Sequence, residues 1–387
     1  MSFVIRNAKI CNPDGEFHGD VLVEGGVIKQ VGGTIDKRQD VAEIDAGGKL
    51  LFPGFIDLHI QGAGGRDMLD ASPDVLQTIS MVCAQFGVTG FLGTTVYHPN
   101  DENTHLRVAA LESCKELKGA HFLGFHLEGP FISPEKRGMI HPNAIMAPSL
   151  RELGSILEKT EGKLKMMTIA PELEGALDII KELRRRGIIA SFGHSAATYD
   201  ETLLGIGAGI THVTHLFNAM NPLHHRAPGP LLAIFESSCV SAQLISDGVH
   251  IFPGMVRLAA SLLGEDRIVL ITDGIQALGL GDGKYVYDGR EYESKDGAAR
   301  YGDGTLIGTA LGMNQLAARF REFTGWPLSS IAKVASLNPA SVLGLADKKG
   351  SVKAGKDADL VLLNRDFSVL KTFVAGKLTF ESPHSES

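Results

Sequence analysis

Cysteine is scarce: Cys11, Cys83, Cys114 and Cys239 stand far apart in 387 residues, and no two form a CxxC pair. Nothing in that spacing calls for disulfides, and the expectation is reduced, mostly buried thiols in a cytoplasmic protein. Basic residues are outnumbered, 37 Lys and Arg against 45 Asp and Glu, giving a net charge of −8. Such a balance argues against a nucleic-acid or general polyanion binder, although one local anion site is compatible with it. No apolar run reaches the roughly 18–20 residues of a membrane helix. The start, MSFVIRNAKICNPDGE, lacks the basic-then-apolar pattern of a signal peptide. No GxGxxG follows an early strand, which removes the main support for a dinucleotide-binding sheet. Long-period repeats and low-complexity linkers are absent as well. What is present is 44% hydrophobic and 21% charged, the balance of an ordinary globular chain. Its length suits one large domain, or a large domain with a small one attached.

The two ends share a texture. FVIRNAKIC and DVLVEGGVIKQVG alternate apolar and polar residues between Gly, Asn and Asp turns, and GSVKAGKDADLVLLNRDFSVLKTFVAGKLTF does the same. Between them the pattern changes to apolar runs separated by helical stretches such as SPDVLQTISMVCAQFG and LEGALDIIKELRRRG. The runs are GFIDLHI, TGFLGTTV, HFLGFHLE, KMMTIAPE, IIASFGH, HVTHLFN, SAQLISDG and RIVLITDG. Eight repeated β/α units predict an α/β protein, a (β/α)8 TIM-type barrel over residues 54–349. Residues 1–53 and 350–387 then form a small β-sandwich domain beside it, and the tail ESPHSES is expected to be disordered.

Chemistry in such a barrel sits at the carboxyl ends of the strands. Read in order, those ends give His59 with Gln61, Thr94 with Thr95, Glu128, Pro171 with Glu172, His194, His215, Asp247 with His250, and Asp273. A glutamate and two neutral imidazoles suit one Zn²⁺ or a similar divalent ion and leave a coordination position for water. An ion there brings a water pKa down to about 7. Asp273, across the barrel, is placed to take that water's proton and pass it to a leaving group.

The segments PGFIDLHIQG, GFHLEGPF, GMIHPNA, SFGHSAAT, VTHLFNAMNPLHHRAPG, ISDGVHI, ITDGIQALG and GTLIGTALGMNQ resemble the N-acetylglucosamine-6-phosphate deacetylases of the amidohydrolase superfamily. HLEGP and THLFNAM…HHRAPG are specific to that branch, whereas GFIDLH and KDADL occur across the superfamily. The likeness runs from about residue 3 to 379. It implies removal of the acetyl group from N-acetylglucosamine 6-phosphate, giving glucosamine 6-phosphate and acetate. By position it implies Glu128, His194 and His215 as metal ligands and Asp273 as the acid/base. Zinc is the expected ion, with Fe²⁺, Co²⁺ and Mn²⁺ as alternatives. His141 and His250 match contacts to the sugar and the reacting amide. Asn218 and the backbone of Ala219 match phosphate contacts, and Leu306 and Ile307 match the lining of the acetyl pocket. Arg226 matches an arginine that reaches in from the second subunit of a homodimer. His212 lies three residues before His215 and thus on the opposite face, while His126 lies deeper and is expected to orient a ligand or a water.

His59 and Gln61 stand at places where some members carry two histidines and bind two metals. A neutral amide oxygen is a poorer ligand than imidazole, so a single-metal enzyme is expected, with His59 near the site as an auxiliary group. Two other readings are weighed. A cyclic-amide hydrolase or deaminase would usually keep both histidines and a lysine at the fourth strand, which here ends in TIAPE. A catalytically dead barrel serving as a scaffold is disfavoured by the intact Glu128, His194, His215 and Asp273.

Overall fold

In the computed structural model, residues 2–36 and 41–383 are described. The expectation of a disordered tail falls, for residues 384–387, outside them. Eight parallel strands follow one another in chain order around a barrel: Phe55–Ile60, Val88–Thr95, His121–Glu128, Leu164–Ile169, Ile189–Phe192, Ile210–Val213, Ser241–Leu244 and Ile268–Leu270. They correspond one for one to the eight apolar runs. Closure occurs beyond the eighth strand: the amide of Asp273 donates to His59 O at 2.9 Å, and those of Gln61 and Gly62 donate to Gly274 O. Asp57 reinforces this seam. Its carboxylate accepts from the amides of His59 and Thr272 at 3.1 and 3.2 Å and from the Thr272 hydroxyl at 2.5 Å.

The outer helices follow their sequence signals. Leu150–Lys159 starts at Ser149, whose hydroxyl accepts from the amide of Glu152. Tyr199–Ala208 starts at a capping box formed by Thr198 and Glu201. Ala176–Arg185 turns Ile179, Ile180 and Leu183 inward and pairs Arg185 and Arg186 with Glu182 on its outer side. Ile56, Leu58, Leu92, Met166, Val269 and Ile271, from four strands and the residue after the last, join one apolar cluster with Val342, Leu343 and Leu345. This packing supports the site from below.

The terminal segments pair directly, Leu50–Pro53 running antiparallel to Leu360–Leu363. They belong to one eight-stranded sheet. Its long first strand, Ser2–Asn12, pairs with Ala42–Asp45 over its first half and with Leu50–Pro53 beyond a bulge. The sheet therefore folds over a core that includes Phe3, Ile5, Ile10, Val21, Leu51, Leu360 and Phe373, giving the small β-sandwich.

One element differs from expectation. Between the eighth strand and its helix, Met313–Thr324, lies an antiparallel four-stranded sheet: Gly283–Tyr287, Arg290–Lys295, Ala298–Tyr301 and Leu306–Thr309. Its last strand returns to the barrel, where the amide of Thr309 donates to Asp273 O at 2.9 Å. At Gly308 (φ +142°) a Cβ would come within 2.6 Å of Asp273 O, so only glycine permits that approach. Leu306 and Ile307 are delivered to the barrel mouth by this sheet.

Candidate metal centre and active site

Glu128 ends the third strand, while His194 and His215 lie just beyond the fifth and sixth. Gly193 lets the chain pass between Thr168 and Thr214, because a Cβ there would meet them at 2.8 and 2.9 Å. His194, His215 and Asp273 have φ of +48°, +27° and +52°. Three side chains of one cluster thus hang from sparsely populated backbone conformations, the kind of strain that persists where surrounding structure fixes it.

The ligand atoms of Glu128, His194 and His215 all lie within 4.8 Å of one another. Glu128 Oε1 stands 3.0 Å from His194 Nε2 and 3.1 Å from His215 Nε2, and the two imidazole nitrogens are 3.0 Å apart. Ligands about 2.0–2.1 Å from a tetrahedral zinc ion stand roughly 3.3 Å from one another, close to this spacing. His194 Nδ1 donates to Lys136 O at 2.8 Å, which leaves the Nε2 lone pair directed at the cluster. Burial holds the His215 pKa below its usual value, keeping that ring neutral. Burial opposes ionisation of Glu128, but His59, His194 and His215 outweigh it and hold its carboxyl well below the usual range. Two imidazole nitrogens and a carboxylate converging on one point form a donor set that fits a divalent metal.

Gln61 and His59 both approach Glu128. The first strand ends at Ile60, and beyond it Gln61 Nε2 donates to Glu128 Oε2 at 3.0 Å. His59 is fully buried lower down, with Nε2 3.2 Å from Asp273 Oδ1 and 3.6 Å from Glu128 Oε2. Its burial disfavours charge, yet Glu128 and Asp273 prevail and push its pKa up to about 9. His126 bonds Leu58 O and Thr168 Oγ1 and meets the His59 ring edge-on at 4.8 Å, making no hydrogen bond to a metal-type ligand. His212 bonds Ser241 at 2.7 Å, and burial brings its pKa down to about 3. Glu172 accepts from Ser195 and the amide of Ala196 and serves the loop after the fifth strand.

A cavity of about 210 Å³ opens over the cluster. Of the residues singled out in the sequence, Gln61, Glu128, His194, His215, Asn218, Ala219, His250, Asp273, Leu306 and Ile307 line it. Gly138 and Met139 line it too and were missed, although GMIHPNA holds both. His250 Nδ1 donates to Asp247 Oδ2 at 2.6 Å, and its Nε2 lies 4.0 Å from Asp273 Oδ2. Burial works against charge on His250, but Asp247 more than offsets it and its pKa is raised. His141 is exposed and caps the short helix Pro142–Ala144, away from the cavity lining. Arg226 is exposed, and no ion pair is formed by its guanidinium among the described residues. A larger hollow of about 710 Å³ lies over the inserted sheet, but Lys284, Lys295 and Arg300 there alternate with Glu291, Glu293 and Asp296. Mixed charge on an open face gives it no convergent chemistry.

Residues 50–379 match the Amidohydrolase family. An N-acetylglucosamine-6-phosphate deacetylase of Bacillus subtilis is 38% identical over 95% of this chain and 94% of its own. An N-acetylgalactosamine-6-phosphate deacetylase of Escherichia coli O157:H7 is 34% identical over 98% of this chain and 99% of its own. The structure of a mutant N-acetyl-D-glucosamine-6-phosphate deacetylase from Mycobacterium smegmatis, in complex with N-acetyl-D-glucosamine-6-phosphate, superposes with a TM-score of 0.91. It is 32% identical and covers 98% of this chain and 99% of its own. With whole-length identity, a shared barrel and a buried carboxylate–imidazole cluster, the chain belongs to the amidohydrolase superfamily, among its N-acetylglucosamine-6-phosphate deacetylases.

Proposed function

We propose that the chain hydrolyses the acetamide of N-acetylglucosamine 6-phosphate to glucosamine 6-phosphate and acetate, using one zinc ion held by Glu128, His194 and His215. The convergence of those three ligand atoms beneath a cavity walled by Asp273 and His250 carries this reading. A divalent ion there supplies Lewis acidity toward the amide carbonyl and acidifies water. Asp273 takes the proton of the attacking water and returns it to the departing amine. His250, oriented by Asp247 and favoured in its protonated form, presents Nε2–H to the carbonyl oxygen as negative charge develops. Leu306, Ile307 and Met139 enclose the acetyl methyl and exclude water. Asn218 and the amide of Ala219 face the phosphate, and His141 swings in from its loop to a sugar hydroxyl. Arg226 serves the partner's site in a homodimer, in keeping with its exposure and its place outside its own chain's cavity lining. Among the described residues no helix is long and apolar enough to cross a membrane. All four cysteines are free, which with a phosphorylated substrate supports a cytoplasmic enzyme.

Purified protein should release acetate and a free amine from N-acetylglucosamine 6-phosphate, lose that activity on chelation and regain it with zinc. Similarity to an N-acetylgalactosamine-6-phosphate deacetylase makes the 4-epimer the control, expected to be the poorer substrate. Metal-independent turnover, or preference for the epimer, would overturn the assignment.

The cluster also sets stoichiometry. Because Gln61 places an N–H on Glu128 Oε2, elemental analysis should find about one tightly bound ion per chain. Gln61→His should raise occupancy of a second position. Two tight ions in the active wild type would contradict the reading of Gln61.

A further inference from the structure

A buried glutamine in the seventh strand has no part in the scheme above. Gln243 stands between Ala242 and Leu244 in Ser241–Leu244, with no exposed surface. Its Oε1 accepts from His59 Nδ1 at 3.1 Å and from the amide of His215 at 3.3 Å. The His215 amide can only donate, so this oxygen faces it and the orientation of the side-chain amide is fixed. Its Nε2 meets the sulfur of Met166 at 3.6 Å, a weak acceptor. One carbonyl oxygen therefore ties the imidazole of His59, on the first strand, to the backbone of His215, beyond the sixth. The other nitrogen of His59 lies 3.2 Å from Asp273 Oδ1.

We propose that Gln243 is a positioning residue of the reaction: its carbonyl oxygen fixes the His59 ring, and through that ring the Asp273 carboxylate, relative to Glu128, His194 and His215. The proposal rests on the deacetylase reading and assigns Gln243 and His59 a role that the ligand set alone does not. The Oε1 contact is the hydrogen bond that sets the His59 ring about its Cβ–Cγ bond, and without it the edge facing Asp273 shifts within its packed surroundings. Misplacement of a reacting group by about 1 Å costs on the order of 100-fold in rate. A residue with only a packing role would accept a thioether of similar volume with little effect on turnover.

The test compares Gln243→Met, which keeps the volume and removes the acceptor, with Gln243→Glu, which keeps an oxygen at the same reach. In the zinc-loaded protein, Gln243→Met should retain about one metal per chain and a KM within about twofold, while kcat falls about 10- to 100-fold. Gln243→Glu should recover most of that loss. Combining Gln243→Met with His59→Ala should be no slower than the slower single variant, since both act along one path. In histidine-labelled protein, the His59 Nδ1–H resonance, assigned by its loss in His59→Ala, should disappear or shift in Gln243→Met and persist in Gln243→Glu. Unchanged kcat in a folded Gln243→Met, or losses that multiply in the double variant, would overturn the proposal. If Gln243→Met does not fold, Gln243→Asn, which withdraws the oxygen by one methylene, carries the same expectations. If the wild type releases no acetate, the substrate reading fails, and the resonance alone decides whether Gln243 holds His59.

Discussion

Asp273→Asn should lower kcat about 10²- to 10⁴-fold, the range for a positioned acid/base group, while metal content and KM change little. The carboxylate lies at the cavity edge, 4.0 Å from His250 Nε2 on one side and 3.2 Å from His59 Nε2 on the other. Its backbone is pinned from two directions: the Asp273 amide donates to His59 O, and Asp273 O accepts from Thr309. Asparagine is isosteric and keeps those contacts. The negative charge goes, and with it the capacity to take a proton from water, so kcat and kcat/KM should fall together. Substitution of a metal ligand, such as Glu128→Gln, should instead empty the site. Elemental analysis of both variants beside the kinetics separates the two roles. Near-normal turnover in Asp273→Asn would move proton transfer to another group.

The barrel was legible because each inner strand is a short apolar run bounded by Gly, Pro or Asp, and several strand ends carry a polar residue that lines the site. Glu128, His194, His215 and Asp273 could be read that way. The inserted sheet was not, although Asp288–Gly289, Asp296–Gly297 and Asp303–Gly304 are three hairpin-type turns in 17 residues. Its strands carry Tyr285, Tyr287, Tyr292 and Tyr301 among charges, and the count of eight β/α units left no place for them. His59 and Gln61, two residues apart, both approach Glu128 Oε2, His59 Nε2 at 3.6 Å and Gln61 Nε2 at 3.0 Å. Gln243 was invisible. A lone polar residue in a strand reads as an exposed face, and only the closed barrel shows that this one points at two histidines.

Arg226→Ala should raise KM for N-acetylglucosamine 6-phosphate about ten- to hundredfold, since a charge-assisted hydrogen bond contributes about 1.5–3 kcal/mol and 1.4 kcal/mol is a factor of ten. The arginine sits in the exposed stretch LHHRA, with its amide on His224 Nδ1 at 3.3 Å. It stands outside the lining of its own chain's cavity. A planar guanidinium with no ion pair among the described residues is suited to a phosphate arriving from a second copy. Unphosphorylated N-acetylglucosamine should be turned over poorly by both proteins and scarcely distinguish them. Subunit mixing tests the cross-chain arrangement. In a dimer whose sites each draw Asp273 from one chain and Arg226 from the other, Asp273→Asn chains mixed with Arg226→Ala chains yield heterodimers with one doubly damaged and one intact site. Activity at low substrate should then rise above the mean of the two parents once subunits have exchanged. Absence of any rise, with exchange demonstrated by mass-tagged chains, would mean that Arg226 serves its own chain's site or none.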